Sequence, residues 1–358
     1  AFANNIEIAR SSCPEQSYLP IIKANGYGHG LEAIAGVLLA TAKQVAQSVN
    51  RLEGCAIAAL SEAQRLRECG WDHPIVLLPG FVDTAELDEC RRLGIDPVIH
   101  SPYQLALMLA NPSGITRVWL KANTGMNRLG LNAEAWHEAL TALSAVPNLA
   151  IVAMSHLACA DELDSPVTLK QKSQFDSLLA DTGAIRKTLA ASGGILAWPQ
   201  THYDIVRPGI MLYGSSPFAD RSAQSLGLLP VMTLKSRLIA INTLNAGDAV
   251  GYGGTFVADR PMRIGVVSIG YGDGYPRKAP TDTPVLVETP AGMQRTTLKG
   301  RVSMDMITID VTDLQVEVGA SVVLWGDGLP ADEIAQHCAT IAYELFCQVT
   351  ARVPRQSS

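Results

Sequence analysis

Residues 19–30 read LPIIKANGYGHG: a short oily run, a lysine at its end, then a loop built almost entirely of small residues. An ammonium group in that position is either a surface lysine whose stem snorkels to water or a nucleophile deprived of hydration. Comparable apolar runs recur up to about residue 214: YLPIIKAN, GCAIAAL, PIVLLPG, DPVIH, RVWLKAN, LAIVAMSHL, TLAASGG and DIVRPGIMLYG. Between most of them lie amphipathic stretches such as SEAQRLRECG and DTAELDECRRLG, each closed by the glycine that a helix end favours. Runs rich in Val, Ile and Leu, separated by helices, predict parallel strands with right-handed crossovers. Eight of them predict a closed α/β (β/α)8 TIM barrel.

After residue 225 the texture changes. LPVMTLKSRLIAINTL, RIGVVSIG, TPVLVETP, MDMITIDVTD and SVVLWGD carry β-branched residues, with turn signals at NAGD and PAGM and a late helix around PADEIAQHCAT. The expected division is a barrel over 1–224 and a mostly-β domain over 225–358. The 358 residues, 47% apolar and 17% charged, have the composition of a globular protein. A net charge of −6 without a Lys/Arg cluster speaks against a nucleic-acid partner, and runs such as HPIVLLPGF are too short to span a bilayer. Seven scattered cysteines without a C-x-x-C pair read as reduced thiols in a cytoplasmic protein, or a periplasmic one if a leader was removed. HEALT at 137–141 begins like a zincin helix but has Thr141 where the second histidine belongs, so no metal site is expected.

In a parallel barrel the chemistry sits at the C-terminal ends of the strands. Lys23 ends the first run, Lys121 the fifth with Arg128 just beyond, and His156 the sixth; Ser192 follows the seventh and Arg207 lies in the eighth. Each alone has an ordinary structural reading; five together on one face point to a site. A lysine at an apolar strand end loses hydration, which favours its neutral amine, and a neutral amine forms a Schiff base with an aldehyde. Pyridoxal 5′-phosphate needs such a lysine, an anion cradle and a partner for its pyridine nitrogen. Ser192 with SGG and the amides of Gly209 and Ile210 offer the cradle, and Arg207 the nitrogen partner. Arginine keeps its own proton, so the ring stays a weaker electron sink and simple proton exchange at Cα is favoured over decarboxylation or transamination.

IIKANGYGHG, LKANTGMNRLG, VRPGIMLYG, VGYGGTF, GYGDGYPR, GRVSMDM and AYELFCQVTARVPR, in this order over essentially the whole chain, resemble the motifs of the alanine racemases, fold-type III pyridoxal-phosphate enzymes. The resemblance implies a head-to-tail homodimer with shared active sites, acting on alanine for peptidoglycan supply or alanine catabolism. It implies Lys23 as one base and Tyr252, donated by the other subunit, as the second, with His156 and Arg207 beside it. Tyr27 and Tyr343 are implied on the phosphate, Arg128 on the cofactor's phenolic oxygen and the substrate carboxylate, and Met304 on that carboxylate. Lys121 is implied to be carbamylated and paired with Arg128; Asp161, Tyr271 and Arg301 are implied to line a narrow substrate access channel.

Some positions depart from the family pattern. Ala191 stands where asparagine is usual, Gly26 replaces an alanine, and TAKQVAQSVN at 41–50 looks inserted. The family's first β strand is expected before AFANNIE and is not found there. A broad-spectrum amino-acid racemase is the nearest alternative. A fold-type III decarboxylase is disfavoured by arginine in VRPGI, and a barrel-only cofactor-binding protein by the second domain. Dinucleotide binding is disfavoured because neither GYGHG nor GYGGTF has the G-x-G-x-x-G order.

Overall fold

The computed structural model describes residues 1–44 and 51–356. Eight short parallel strands form the first domain: β1 (Ser17–Tyr18), β2 (Cys55–Ile57), β3 (Ile75–Leu77), β4 (Ile95–Ile99), β5 (Arg117–Lys121), β6 (Ala150–Met154), β7 (Arg186–Ala191) and β8 (Ile205–Arg207). From β2 to β8 each pairs with its successor, and β8 pairs with β1. Parallel bridges Tyr18–Leu52 and Ile21–Ala56 join β1 to the β2 segment, so the sheet closes on itself as a barrel. The ladder of β1 is broken at Pro20, which has no N–H to contribute. The two amphipathic stretches become helices Leu60–Glu68 and Thr84–Leu93. The second is capped by the Asp83 side chain accepting from the Glu86 amide at 2.8 Å and closed by Gly94 in a left-handed conformation.

Side chains alternate between the barrel interior and the surrounding helices. On β5 this puts Arg117, Trp119 and Lys121 on one face, from floor to mouth. The floor is sealed by charge: Arg117 and Arg186 both reach Glu53, at 2.7 and 2.8 Å, and Arg117 also holds Asp96 at 2.6 Å. The polar residues at the opposite end of the strands are therefore the ones free for chemistry.

The second domain is an antiparallel sheet in the order β14-β13-β16-β9-β12-β15 with a small hairpin beside it. Its strands are β9 (Leu234–Leu244), β10 (Ala249–Val250), β11 (Phe256–Val257), β12 (Met262–Val267), β13 (Pro284–Thr289), β14 (Gly292–Thr297), β15 (Ile307–Asp310) and β16 (Ser321–Trp325). PAGM makes the β13–β14 turn, whereas β14 itself, GMQRTT, lacks the apolar alternation that would mark it in sequence. The late helix is Ala331–His337. Two further helices, Phe2–Ser12 and Ala342–Gln348, have no counterpart in the sequence reading. Residues 41–44 finish the helix Leu31–Gln44, and the rest of the inserted stretch lies outside the described residues. The C-terminal segment returns to the barrel: Arg355 Nε donates to the Gly28 carbonyl at 2.7 Å, beside the loop that follows Lys23.

Candidate active site

Lys23 opens a turn with an unusual hand. Ala24, Asn25, Gly26 and Tyr27 all have positive φ, at 52°, 56°, 62° and 47°. A left-handed conformation costs a non-glycine residue about 1–2 kcal/mol, so the turn survives only by hydrogen bonds made around it. The Gly26 and Gly28 amides donate to the Ile22 and Ala24 carbonyls at 2.8 and 2.9 Å, and the Gly30 amide donates to the Asn25 carbonyl at 2.9 Å. The turn separates Lys23 and Tyr27 while leaving both directed at the barrel mouth region: burial and the nearby Arg128 lower the Lys23 pKa, and the Tyr27 hydroxyl lies beside Gly209.

Arg207 is fully embedded. Its Nη1 donates to the Thr188 hydroxyl at 2.6 Å, and its Nη2 donates to the Ser155 and Leu189 carbonyls at 2.7 and 3.0 Å. Burial brings its pKa down only to about 10, so it remains a cation at neutral pH. Its Nε makes no hydrogen bond among the described residues. Nη2 also lies 3.3 Å from His156 Nδ1. Because a guanidinium can only donate, Nδ1 accepts and the histidine proton sits on Nε2. Burial, then the charge of Arg207, pushes the His156 pKa well below the usual imidazole range. Lys121 is depressed to about 8 by burial first and by Arg207, Arg128 and Lys23 after it. The charges acting on Lys121 and His156 are all cationic, which leaves a field open to an anionic ligand.

The cradle forms where β7 and β8 end. Ser192 begins the short helix Ser192–Ala197, and its Oγ accepts from the Gly209 amide at 2.9 Å and from Met211 at 3.4 Å. The Gly209 amide is thus engaged by the serine rather than exposed to a ligand. The serine hydrogen and the Ile210 amide have no partner among the described residues and remain as donors. A methyl group on Gly209 would come within 3.2 Å of the Tyr27 hydroxyl, so glycine here lets the phenol approach the backbone. Tyr27 stacks on Tyr213 at 4.7 Å, and the Tyr343 ring lies 5.7 Å from it. Burial holds the Tyr27 and Tyr343 phenols protonated, and Asp161 acts on Tyr343 in the same direction.

The remaining sequence-derived residues sit elsewhere in the chain. Tyr252, in the loop between β10 and β11, is 73% exposed and makes no hydrogen bond or ring contact with the barrel mouth among the described residues. Arg301 packs against its loop, with Nη1 only 3.0 Å from where a side chain on Gly253 would begin. Tyr271 and Met304 are tied together through backbone bonds, Gly272 amide to Met304 carbonyl at 2.8 Å and Tyr271 amide to Ser303 carbonyl at 3.1 Å. Both are exposed. One chain therefore presents two half-sites, one at the barrel mouth and one on the second domain.

Two family models divide the molecule in the same way: Alanine racemase, N-terminal domain matches residues 1–217, and Alanine racemase, C-terminal domain matches residues 231–357. The chain belongs to the alanine racemase family. The alanine racemase of Vibrio parahaemolyticus is 43% identical over 357 residues, which is 99% of this chain and 95% of that protein. The alanine racemase of Alcanivorax borkumensis is 45% identical over 355 residues, 99% of this chain and 96% of its own. The crystal structure of biosynthetic alanine racemase from Pseudomonas aeruginosa matches with a TM-score of 0.92 at 41% identity, covering 100% of this chain and 96% of that one.

As a member of the alanine racemase family the chain is an isomerase. Several residues that build its candidate site carry no signal in the sequence. Thr188 and Ser155 anchor Arg207, and Gln171 pins the loop after β6 by donating to the His156 carbonyl at 3.0 Å and accepting from Ala158 at 2.8 Å. His202 caps the Ser192 helix through the Gly194 and Ile195 carbonyls at 3.2 and 3.1 Å. Each acts across the fold rather than along the chain. His137 of HEALT lies with its ring nitrogens 2.8 and 3.0 Å from the Ala133 and Leu178 carbonyls. Among the described residues no group of three or more His, Cys, Asp or Glu could hold a metal, and no helix is long and apolar enough to cross a membrane. All seven cysteines are free thiols.

Proposed function

We propose that this chain interconverts L- and D-alanine with pyridoxal 5′-phosphate, using Lys23 and the partner subunit's Tyr252 as bases on opposite faces of the substrate. The observation that carries the reading is the cationic ring at the barrel mouth: Lys23, Lys121, Arg128 and Arg207 around a neutral His156, with the Tyr27 hydroxyl against Gly209. These residues fit the cofactor group by group. Tyr27, Tyr343, the Ser192 hydroxyl and the Ile210 amide would hold its phosphate, with Gly209 orienting the serine. Arg207 Nε would face the ring nitrogen, Arg128 the phenolic oxygen, and Lys23 the aldehyde. When bound, the cofactor withdraws electrons from the amino acid and makes its Cα–H acidic.

The chain's own groups would do the rest. Burial keeps the Lys23 amine ready to exchange a proton. The His156 Nε2–H, directed by the Arg207 bond to Nδ1, is a donor suited to stabilising the phenolate of an incoming Tyr252. Arg128 and the Met304 amide would hold the substrate carboxylate. Tyr252, Tyr271, Arg301 and Met304, presented together on the second domain, suit a head-to-tail homodimer in which that face meets a partner's barrel mouth. With Asp161, Tyr271 and Arg301 would narrow access to small amino acids. Lys121, neutral above about pH 8, would add carbon dioxide, release a proton, and pair as a carbamate with Arg128. A mass increment lost on acidification is expected; a bare amine throughout would reject the carbamate. We divide the chain after residue 224, and we assign it to the cytoplasm on its seven free thiols. Its product would serve peptidoglycan or its reaction alanine catabolism.

Circular dichroism of a panel of L-amino acids, followed with enzyme and added cofactor, tests the assignment. The signal of alanine should decay to zero and those of large or charged amino acids should persist. Equal decay across the panel would instead identify a broad-spectrum racemase, and appearance of an amine a decarboxylase.

A further inference from the structure

One buried carboxylate lies against the left-handed turn, and it comes from a different strand–helix unit. Glu62 sits in the first turn of the helix Leu60–Glu68. Its Oε2 accepts the Ala58 and Ala59 amides at 3.0 and 3.2 Å, which is ordinary helix capping. Its Oε1 crosses to the neighbouring unit and accepts the Asn25 amide at 3.0 Å, in the middle of the turn after Lys23. Glu62 makes no salt bridge among the described residues, so its charge is met by backbone donors alone, an arrangement more demanding than capping requires. Asn25 is held from its other side as well. Its Oδ1 accepts from the Leu31 amide at 3.1 Å and from Arg65 Nη2 at 2.9 Å, while Arg65 grips both oxygens of Glu32 at 2.8 Å.

We propose that Glu62, acting through Asn25 with Arg65 behind it, is the positioning residue of the cofactor lysine: it holds the left-handed turn that sets the Lys23 amine and the Tyr27 hydroxyl relative to each other. The inference rests on the reading of Lys23 and Tyr27 as cofactor-holding residues. If the turn relaxes, the two groups lose their common target, because four residues of opposite hand separate them. The same carboxylate raises the proton affinity of Lys23. It does so against burial, Arg128 and the neighbouring Lys121, with Cys347 facing the amine from the C-terminal helix. Glu62 thereby couples the geometry of cofactor capture to its pH dependence.

The test uses the apo forms of the wild type, Glu62→Gln and Arg65→Ala, with folding checked by far-ultraviolet circular dichroism. Pyridoxal phosphate is titrated in, capture is followed by visible absorbance across pH, and borohydride reduction with peptide mass analysis locates the attachment. The wild type should be labelled on Lys23. Glu62→Gln, equal in shape but uncharged, should weaken cofactor binding about tenfold or more and move the capture profile to lower pH. Arg65→Ala should weaken binding by about threefold with an unmoved profile, as expected for loss of one exposed contact. Unchanged affinity and pH profile in Glu62→Gln would overturn the proposal. Should that variant not fold, unchanged affinity in Arg65→Ala overturns it. Labelling of the wild type elsewhere than Lys23 would sink the underlying reading, and this inference with it, whatever the variants do.

Discussion

Gly28→Ala is the sharpest perturbation the geometry offers. Gly28 has φ 75°, and a methyl group built on it would stand 2.0 Å from the Phe346 carbonyl oxygen and 2.8 Å from its carbon. Left-handed φ costs alanine about 1–2 kcal/mol, and forcing a methyl into packed backbone about 1–3 kcal/mol more, roughly 2–5 kcal/mol in all. The strain is relieved only if the helix Ala342–Gln348 retreats from the Lys23 loop. That retreat carries Tyr343 away from Tyr27, whose ring lies 5.7 Å from it, and strains the Arg355–Gly28 bond of 2.7 Å. Losing one phenolic hydrogen bond to a phosphate should weaken cofactor binding about tenfold or more. Gly36→Ala is the matched control. It lies in the helix Leu31–Gln44 with nothing within 4 Å of the added carbon, and should stabilise by about 0.5–1 kcal/mol. Urea unfolding by tryptophan fluorescence and equilibrium dialysis of the cofactor read both effects. A Gly28→Ala protein with wild-type midpoint and affinity, beside a stabilised Gly36→Ala, would refute the idea that the C-terminal helix clamps the lysine loop.

Two further predictions address the shared site and its pH dependence. Lys23→Ala should lose the visible absorbance of bound cofactor, whereas Tyr252→Phe should keep it and lose about 10²–10⁴-fold in racemisation. Mixed and refolded together, the two inactive proteins should recover roughly a quarter of wild-type activity, since half the dimers are hybrids with one intact site of two; no recovery would argue against shared sites. His29 is buried beside the same turn, its Nδ1 2.7 Å from the Tyr27 carbonyl, and burial pushes its pKa down to about 4. The unfolded chain therefore takes up a proton below about pH 6.5 that the folded one refuses. Stability should be full above that pH and fall by roughly 3 kcal/mol on approach to pH 4. Urea midpoints measured between about pH 7 and pH 4.5 should show this slope, and His29→Gln should reduce it; equal slopes would exclude His29 as the cause.

Much of the barrel was legible because its signals are local. Asp83 before and Gly94 after DTAELDECRRL mark both ends of a helix by their own side-chain and backbone chemistry. RVWLK reads as a strand from its residue types, and its alternation carries Arg117 to the floor and Lys121 to the mouth. The second domain was less legible where the side chains are polar. β14 is held by pairing with β13 rather than by a buried face of its own, and the helix Ala342–Gln348 forms against the Lys23 loop rather than from a strong pattern.

By itself the sequence determined the order of strands and helices, the domain change near residue 225 and the placing of Lys23, Lys121, His156, Ser192 and Arg207 at strand ends. These follow from periodicity and end signals, which act over a few residues. Only the tertiary structure decided the left-handed course of Ala24–Tyr27, the reach of Glu62 to Asn25, the engagement of the Gly209 amide by Ser192 and the separation of Tyr252 from the barrel mouth. Each depends on groups distant in the chain meeting in space, where burial and hydrogen-bond completion outweigh the local preference of any residue involved.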